Sequence, residues 1–272
     1  MTDLVVRRLL IDLEAPFARR WNGGDAFSTA WFNALSMSFP VGEQFFIDAV
    51  KRGLKALPEA RCEAMSAEVQ AFIGQEATHR RIHALFNGQL EAQGHVNRWA
   101  ERALRRLKRL EGLEPRHWVA ATAATEHITA VFADWMLRHP LALAGAEPRL
   151  QTLWMWHAAE ESEHRSTAFD LYLALGGNLV WRRRFMRIVA LHFITDVFRQ
   201  TLRNLRHDGE LLKWRTWASG WRFLFGDQGL LRQIYRPWKG YFAGDFHPRR
   251  HDDTLAREWL RGHADQFTPV GA

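Results

Sequence analysis

Two stretches govern what this chain can become: Glu76-Ala77-Thr78-His79 and His157-Ala158-Ala159-Glu160-Glu161-Ser162-Glu163-His164. Both contain Glu-x-x-His among small and apolar residues. Residues three or four apart share one face of an α-helix, so each pair can address a single object. A charge buried among apolar neighbours is costly without a partner, and a metal is a partner that Glu and His can share. Roughly one Glu-x-x-His is expected by chance in such a composition. Glu114-Pro115-Arg116-His117 reads as that one, because a Glu at a helix start suits the dipole.

Glu43 and Glu126 extend the pattern. Two Glu-x-x-His helices plus one Glu on each of two others form the donor set of a two-metal site in a four-helix bundle. Glu43 and Glu76 are 33 positions apart and Glu126 and Glu161 are 35 apart, near one helix plus a short turn. The gap of 50 between Glu76 and Glu126 leaves room for a crossover between the two hairpins.

At about 100° per residue, His79 and His83 fall on the face of Glu76, and Glu161 and His164 on the face of His157. Glu160 lies to one side and Glu163 points away. The metal ligands read as Glu43, Glu76, His79, Glu126, His157, Glu161 and His164. His83, Glu160 and His192 are candidates to support them, although His83 also reads as a plain core histidine. Gln44, Asp48, His127, Asp170 and Asp196 are further candidates for hydrogen bonds to the ligands. No catalytic residue beyond the metal centre stands out.

Apolar periodicity with Pro and Gly breaks predicts helices over residues 26–57, 59–90, 115–138 and 148–175, with a kink or restart at Pro40. A basic amphipathic segment over 97–113 is the crossover. Further helices are expected over 181–205, 210–225 and 229–241, then a polar tail. Residues 1–24 read as an irregular lead-in, and no strand-like alternation of useful length is present. The expected fold is all-α: a ferritin-like four-helix bundle over 1–178, with a helical extension over 179–272 packed on it.

The series Glu43, Glu76-x-x-His79, Glu126, Glu161-x-x-His164 resembles the ligand set of ferritin-like di-iron carboxylate proteins. With His157 added, it resembles the extra-histidine variant of di-iron arylamine N-oxygenases, in spacing alone. The wording around the motifs (Phe39-Pro40-Val41-Gly42-Glu43, Gln75-Glu76-Ala77-Thr78-His79, Thr125-Glu126-His127, Glu160-Glu161-Ser162-Glu163-His164-Arg165) resembles a bacterial family of predicted metal-dependent hydrolases over residues 1–260. The di-iron resemblance implies two metal ions, iron first and manganese or zinc as alternatives. It implies bridging by Glu76 and Glu161, with Glu43 and Glu126 terminal and one nitrogen each from His79 and His164.

Three functions follow as expectations. The leading one is a di-iron oxidase or oxygenase for a lipophilic small molecule, such as an acyl lipid, served by an electron donor. The second is hydrolysis by a water activated between two metals. The third is a non-enzymatic metal-binding or membrane-associated bundle. Phe45, Phe46, Phe72 and Trp156 would line an apolar pocket or simply fill the core. There is no Gly-x-Ser-x-Gly elbow and no phosphate-binding glycine loop.

The net charge of +7 belongs to the C-terminal third: residues 176–272 hold 17 Lys/Arg against 9 Asp/Glu, and six of the 13 tryptophans. With no nucleic-acid motif present, the partner expected for that surface is an anionic membrane, with a solvated face as the alternative. The single cysteine, Cys62, precludes an internal disulfide and reads as a small buried residue. With no secretory or membrane-spanning segment recognised, a cytoplasmic protein is expected, peripheral at most on the inner face of the membrane.

Overall fold

Asp25 accepts the Ser28 N–H at 2.8 Å and starts the first long helix, α1 (Ala26–Lys55). Pro58 separates it from α2 (Glu59–Ala92). Proline also occupies the first turn of α4 (Pro115–Arg138) and α5 (Pro148–His164), where its missing N–H costs nothing. The computed structural model describes residues 4–270 and is all-α apart from two three-residue strands.

Two apolar clusters hold these helices together: α1, α2 and α4 cross both, and α5 lies in the first. One contains Phe32 of α1, Phe86 of α2, Met136 of α4 and Trp154 of α5. The other contains Val50, Phe72, Val119 and, beyond α5, Phe169. Along α1, and from α5 onward to Phe169, the chain runs from the first cluster to the second, and on α2 and α4 it runs back. Two hairpins therefore lie side by side with a lengthwise crossover between them. That crossover carries α3 (Arg98–Leu107), capped by Asn97, and a short 3₁₀ turn, Lys108–Leu110. Six of the seven predicted ligands fall in the interval between the two clusters, and His157 lies at the edge of the first, among Trp156, Ala158 and Ala159.

Several expectations are corrected. Pro40 does not restart the helix: α1 runs through it. A proline leaves the carbonyl four residues earlier without its helical donor, and Asn87 Nδ2 donates to that Ser36 carbonyl at 2.9 Å. The expected helix over 148–175 breaks after His164 and resumes as α6 (Thr167–Ala174), while the Arg165 guanidinium donates to the Ser162 and Pro248 carbonyls.

The lead-in is not wholly irregular. Its strand β1 (Arg7–Leu9) pairs antiparallel with β2 (Phe267–Pro269), and Leu9, Leu13, Phe17 and Trp21 are buried. Strands of three residues are too short to print a period in the sequence. The tail also holds a helix beyond expectation, α10 (Thr254–Gly262), which packs Ala256 and Leu260 onto the bundle.

Of the remaining helices, α7 (Leu179–His207) lies along α1 and α4. Next, α8 (Trp214–Phe225) packs on α1, and α9 (Leu230–Gly240) on α4. Trp214 and Trp221 are exposed. Cys62 is half-buried at the edge of the second cluster. No helix among the described residues is long and apolar enough to cross a membrane.

Candidate metal centre

Glu43 comes from α1, Glu76 and His79 from α2, Glu126 from α4, and His157, Glu161 and His164 from α5. All seven are buried, none more than 5% exposed. Oε1 of Glu161 faces three imidazoles, 2.9 Å from His157 Nε2, 3.5 Å from His79 Nδ1 and 3.6 Å from His164 Nε2. His164 Nε2 also lies 3.1 Å from Glu76 Oε1 and 3.3 Å from Glu126 Oε2. Glu43 groups with Glu76 and His79, one donor atom of each lying within 4.8 Å of the others.

The imidazoles are held from behind. His164 Nδ1–H donates to Gln75 Oε1 at 2.9 Å, and the Gln75 amide donates to Val5 O and Glu163 Oε2, which fixes its orientation. His79 Nε2 lies 3.0 Å from Glu160 Oε2, and Arg7 bonds Glu160 Oε1 and Glu163 in turn. Each contact leaves the other ring nitrogen, Nε2 of His164 or Nδ1 of His79, facing the carboxylates.

His157 is oriented by a longer chain. Asn87 donates from Nδ2, so its Oδ1 accepts from the Ser36 hydroxyl at 2.9 Å. Ser36 Oγ must then accept from His83 Nδ1–H at 2.9 Å, and His83 Nε2 from His157 Nδ1–H at 2.6 Å. Nε2 of His157 is thereby a bare lone pair, 2.9 Å from a carboxylate oxygen that is also an acceptor. Two acceptors at that distance need a cation between or beside them.

The electrostatics carry the same imbalance. Burial and Glu76 hold Glu43 well above the usual carboxylate range, and burial and Glu161 push Glu126 up to about 8. Against burial, Glu160 and Glu161 raise His79 to about 10, and Glu126 and Glu161 hold His164 well above normal. His164 and His157 keep Glu161 ionised despite its burial. Burial and His79 lower His157 to about 4 and keep it neutral.

Both oxygens of Glu43, Glu76 and Glu126, Oε2 of Glu161, Nδ1 of His79 and Nε2 of His164 are buried without a hydrogen bond. Unpaired buried polar atoms are rare and ask for an explanation. Here they converge on one region, and their chemistry, carboxylate oxygen plus imidazole nitrogen, suits divalent metal ions. The residues fit a metal centre.

Of the supporting candidates, His83 touches His157 and Glu160 touches His79 directly, as above. His192 lies on a cavity wall on α7 and has no hydrogen bond to any of the seven. His127 turns away, 3.3 Å from Pro237 O and against Tyr241 and Phe246. Gln44 bonds Asp48 and Arg80, Asp170 bonds His247, and Asp196 pairs with Arg102 and Arg106. Phe72 sets its edge on His164, and Trp156 on His79. Phe45 and Phe46 border a cavity.

Arg7, Ser36, Gln75 and Asn87 escape sequence reasoning. Arg7 sits in a segment without helical period, Ser36 and Asn87 belong to no motif, and Gln75 stood in the wording around Glu76 without a role. Pro40 carried the one available signal, a carbonyl that some side chain had to satisfy.

Two apolar cavities, of about 390 and 450 Å³, reach this centre and share Phe39, Thr129, His157, Glu161 and Phe193 as walls. The fold and site together define a helical protein built around a buried Glu/His centre. The chain belongs to the family described as predicted metal-dependent hydrolases, whose match spans residues 5–252. No curated protein and no solved structure matches it significantly.

Proposed function

We propose that the chain is a two-metal enzyme acting on a lipophilic substrate, and that its reaction is hydrolysis. The metals would be held by Glu43, Glu76, His79, Glu126, His157, Glu161 and His164. One observation carries this reading: buried carboxylate and imidazole atoms with unmet bonding capacity form the wall of apolar cavities large enough for a small molecule. The family description supports hydrolysis as the reaction. Two bound metals would supply Lewis acidity and a water of lowered pKa.

The protein's own residues bind, orient and keep water out. His157 and Glu161 stand where both cavities meet, so a substrate in either one abuts the centre. Phe39 and Phe193 beside them exclude bulk water. The relay from Ser36 through His83 sets which nitrogen His157 presents, and Gln75 does the same for His164.

A second reading, oxidation with O2 at two irons, is favoured by the donor set itself, since histidine with carboxylate is the combination that suits non-haem iron. The two separate in one experiment. Protein loaded with zinc, manganese or iron is offered long-chain esters and amides under argon and under air. Turnover under argon with zinc or manganese supports hydrolysis; consumption of O2 with iron and a reductant supports oxidation.

A further inference from the structure

The larger cavity changes character along its length. Its buried end is walled by Glu43, His157 and Glu161, and among the described residues the two glutamates are the only acids on its walls. Leu107, Leu110, Phe185 and Val189 add apolar wall. At the other end stand Arg106, Arg109 and Arg184, with Arg109 and Arg184 exposed.

Those cations are not neutralised. Arg106 shares the one carboxylate of Asp196 with Arg102, which leaves the trio one positive charge in excess. Arg184 lies over the Trp181 ring, 4.8 Å from its centroid. Among the described residues, the ion pairs include no carboxylate within 4 Å of Arg109 or Arg184. An apolar tunnel that begins at unpaired guanidinium groups matches a ligand with an anion at one end and hydrocarbon behind it.

We propose that this cavity binds a single-chain amphiphile with an anionic head, seated with the head at Arg109 and Arg184 and the chain directed toward Glu161. This deepens the reading above by naming the substrate class, and it rests on that reading only for the chain's inner end, where a substrate, unlike the simple probes below, would carry the ester or amide bond to be hydrolysed. A neutral head would forgo the arginines, and a cationic head would be repelled by them. The same head chemistry occurs on a free fatty acid and on a membrane lipid, and the test separates these sources.

The experiment is calorimetric titration of the whole chain, metal-loaded and chelator-stripped, with dodecanoate, dodecan-1-ol and dodecyltrimethylammonium. Metal content is measured on the same samples. The variants are Arg109→Glu with Arg184→Glu, whose side chains are exposed, and Ala121→Trp, which places an indole on the cavity wall; melting curves establish that each folds.

The expected result is one dodecanoate per chain, bound roughly tenfold more tightly than the alcohol, with no binding of the cation. The double charge reversal removes that tenfold preference, the indole abolishes binding, and stripping the metal leaves the preference intact. Equal affinity for all three heads, or indifference to the arginine changes, would overturn the proposal. So would loss of dodecanoate binding on stripping alone, because the carboxylate would then be sitting on the metal. Sedimentation with phosphatidylglycerol vesicles but no binding of monomeric dodecanoate would overturn it in favour of a membrane surface. A chain that binds dodecanoate at the arginines but holds no metal would sink the two-metal reading and leave this one standing.

Discussion

His83 Nε2 accepts the Nδ1–H of His157 across 2.6 Å, and that bond decides which nitrogen His157 offers to the centre. The hydrogen bonds behind it run from His157 through His83, Ser36 and Asn87 to the carbonyl that Pro40 frees. Removing a group that orients a metal-bound histidine typically costs 10–100-fold in metal affinity. Ser36→Ala should therefore weaken metal binding by about tenfold or more, read by competition with a chelator of known affinity. Unchanged affinity would mean that the relay does not set the His157 tautomer.

Arg7 ties the N-terminal strand to the centre. Its guanidinium bonds Glu160 and Glu163, and Glu160 is fully buried against His79. Breaking a buried pair by removing one partner costs about 3–5 kcal/mol, because a charge is left stranded. Arg7→Leu should lower the denaturation midpoint accordingly, while Arg7→Leu with Glu160→Gln and Glu163→Gln should recover much of the loss. If the single and triple variants are equally unstable, the cost lies in packing rather than charge.

A pH effect follows from His127. Burial holds its pKa near about 3, far below the ordinary value of 6.5. The folded state thus disfavours the proton, so this group's contribution is fully present above pH 6.5. It is lost as pH falls toward about 3. Between pH 6.5 and 4 the loss is on the order of 3 kcal/mol, from about 1.36 kcal/mol per pH unit. His127→Phe should flatten the stability profile over that range in denaturant titrations. An unchanged slope would mean that other groups carry the acid sensitivity.

The cavities should be separable from the metals. Ala121 borders the larger cavity, and Ala121→Trp should fill part of it without touching a ligand. Metal content should stay at the wild-type level while turnover of any long-chain substrate falls at least roughly tenfold, as expected when a reacting group loses its position. Loss of metal in this variant would mean that the cavity wall and the centre are mechanically one unit.

Much of this molecule was legible in its sequence, for identifiable reasons. The 3.6-residue period and the prolines delimit the long helices: Pro58 stands just before α2, and Pro115 and Pro148 sit in first turns, where a proline costs nothing. The spacing of Glu43, Glu76, Glu126 and Glu161 carried the hairpin lengths, and the structure brings those four to one place. What sits behind the ligands was not legible. Gln75 reaches His164 from another helix, and Arg7 arrives from a strand of three residues paired with residues 267–269. Such contacts depend on how helices meet, which no single helix records. His127 and Asp170 stand near the predicted ligands in chain position, and Asp196 lies on α7, yet each turns to a different partner.

The most direct test of the central claim is metal stoichiometry by elemental analysis, after reconstitution with iron, zinc or manganese, of wild type beside Glu76→Ala and His164→Ala. The account predicts two ions per chain in the wild type and loss of binding in both variants, with each still folded by circular dichroism. No metal in the wild type under any of the three loadings, or full retention in both variants, would contradict it.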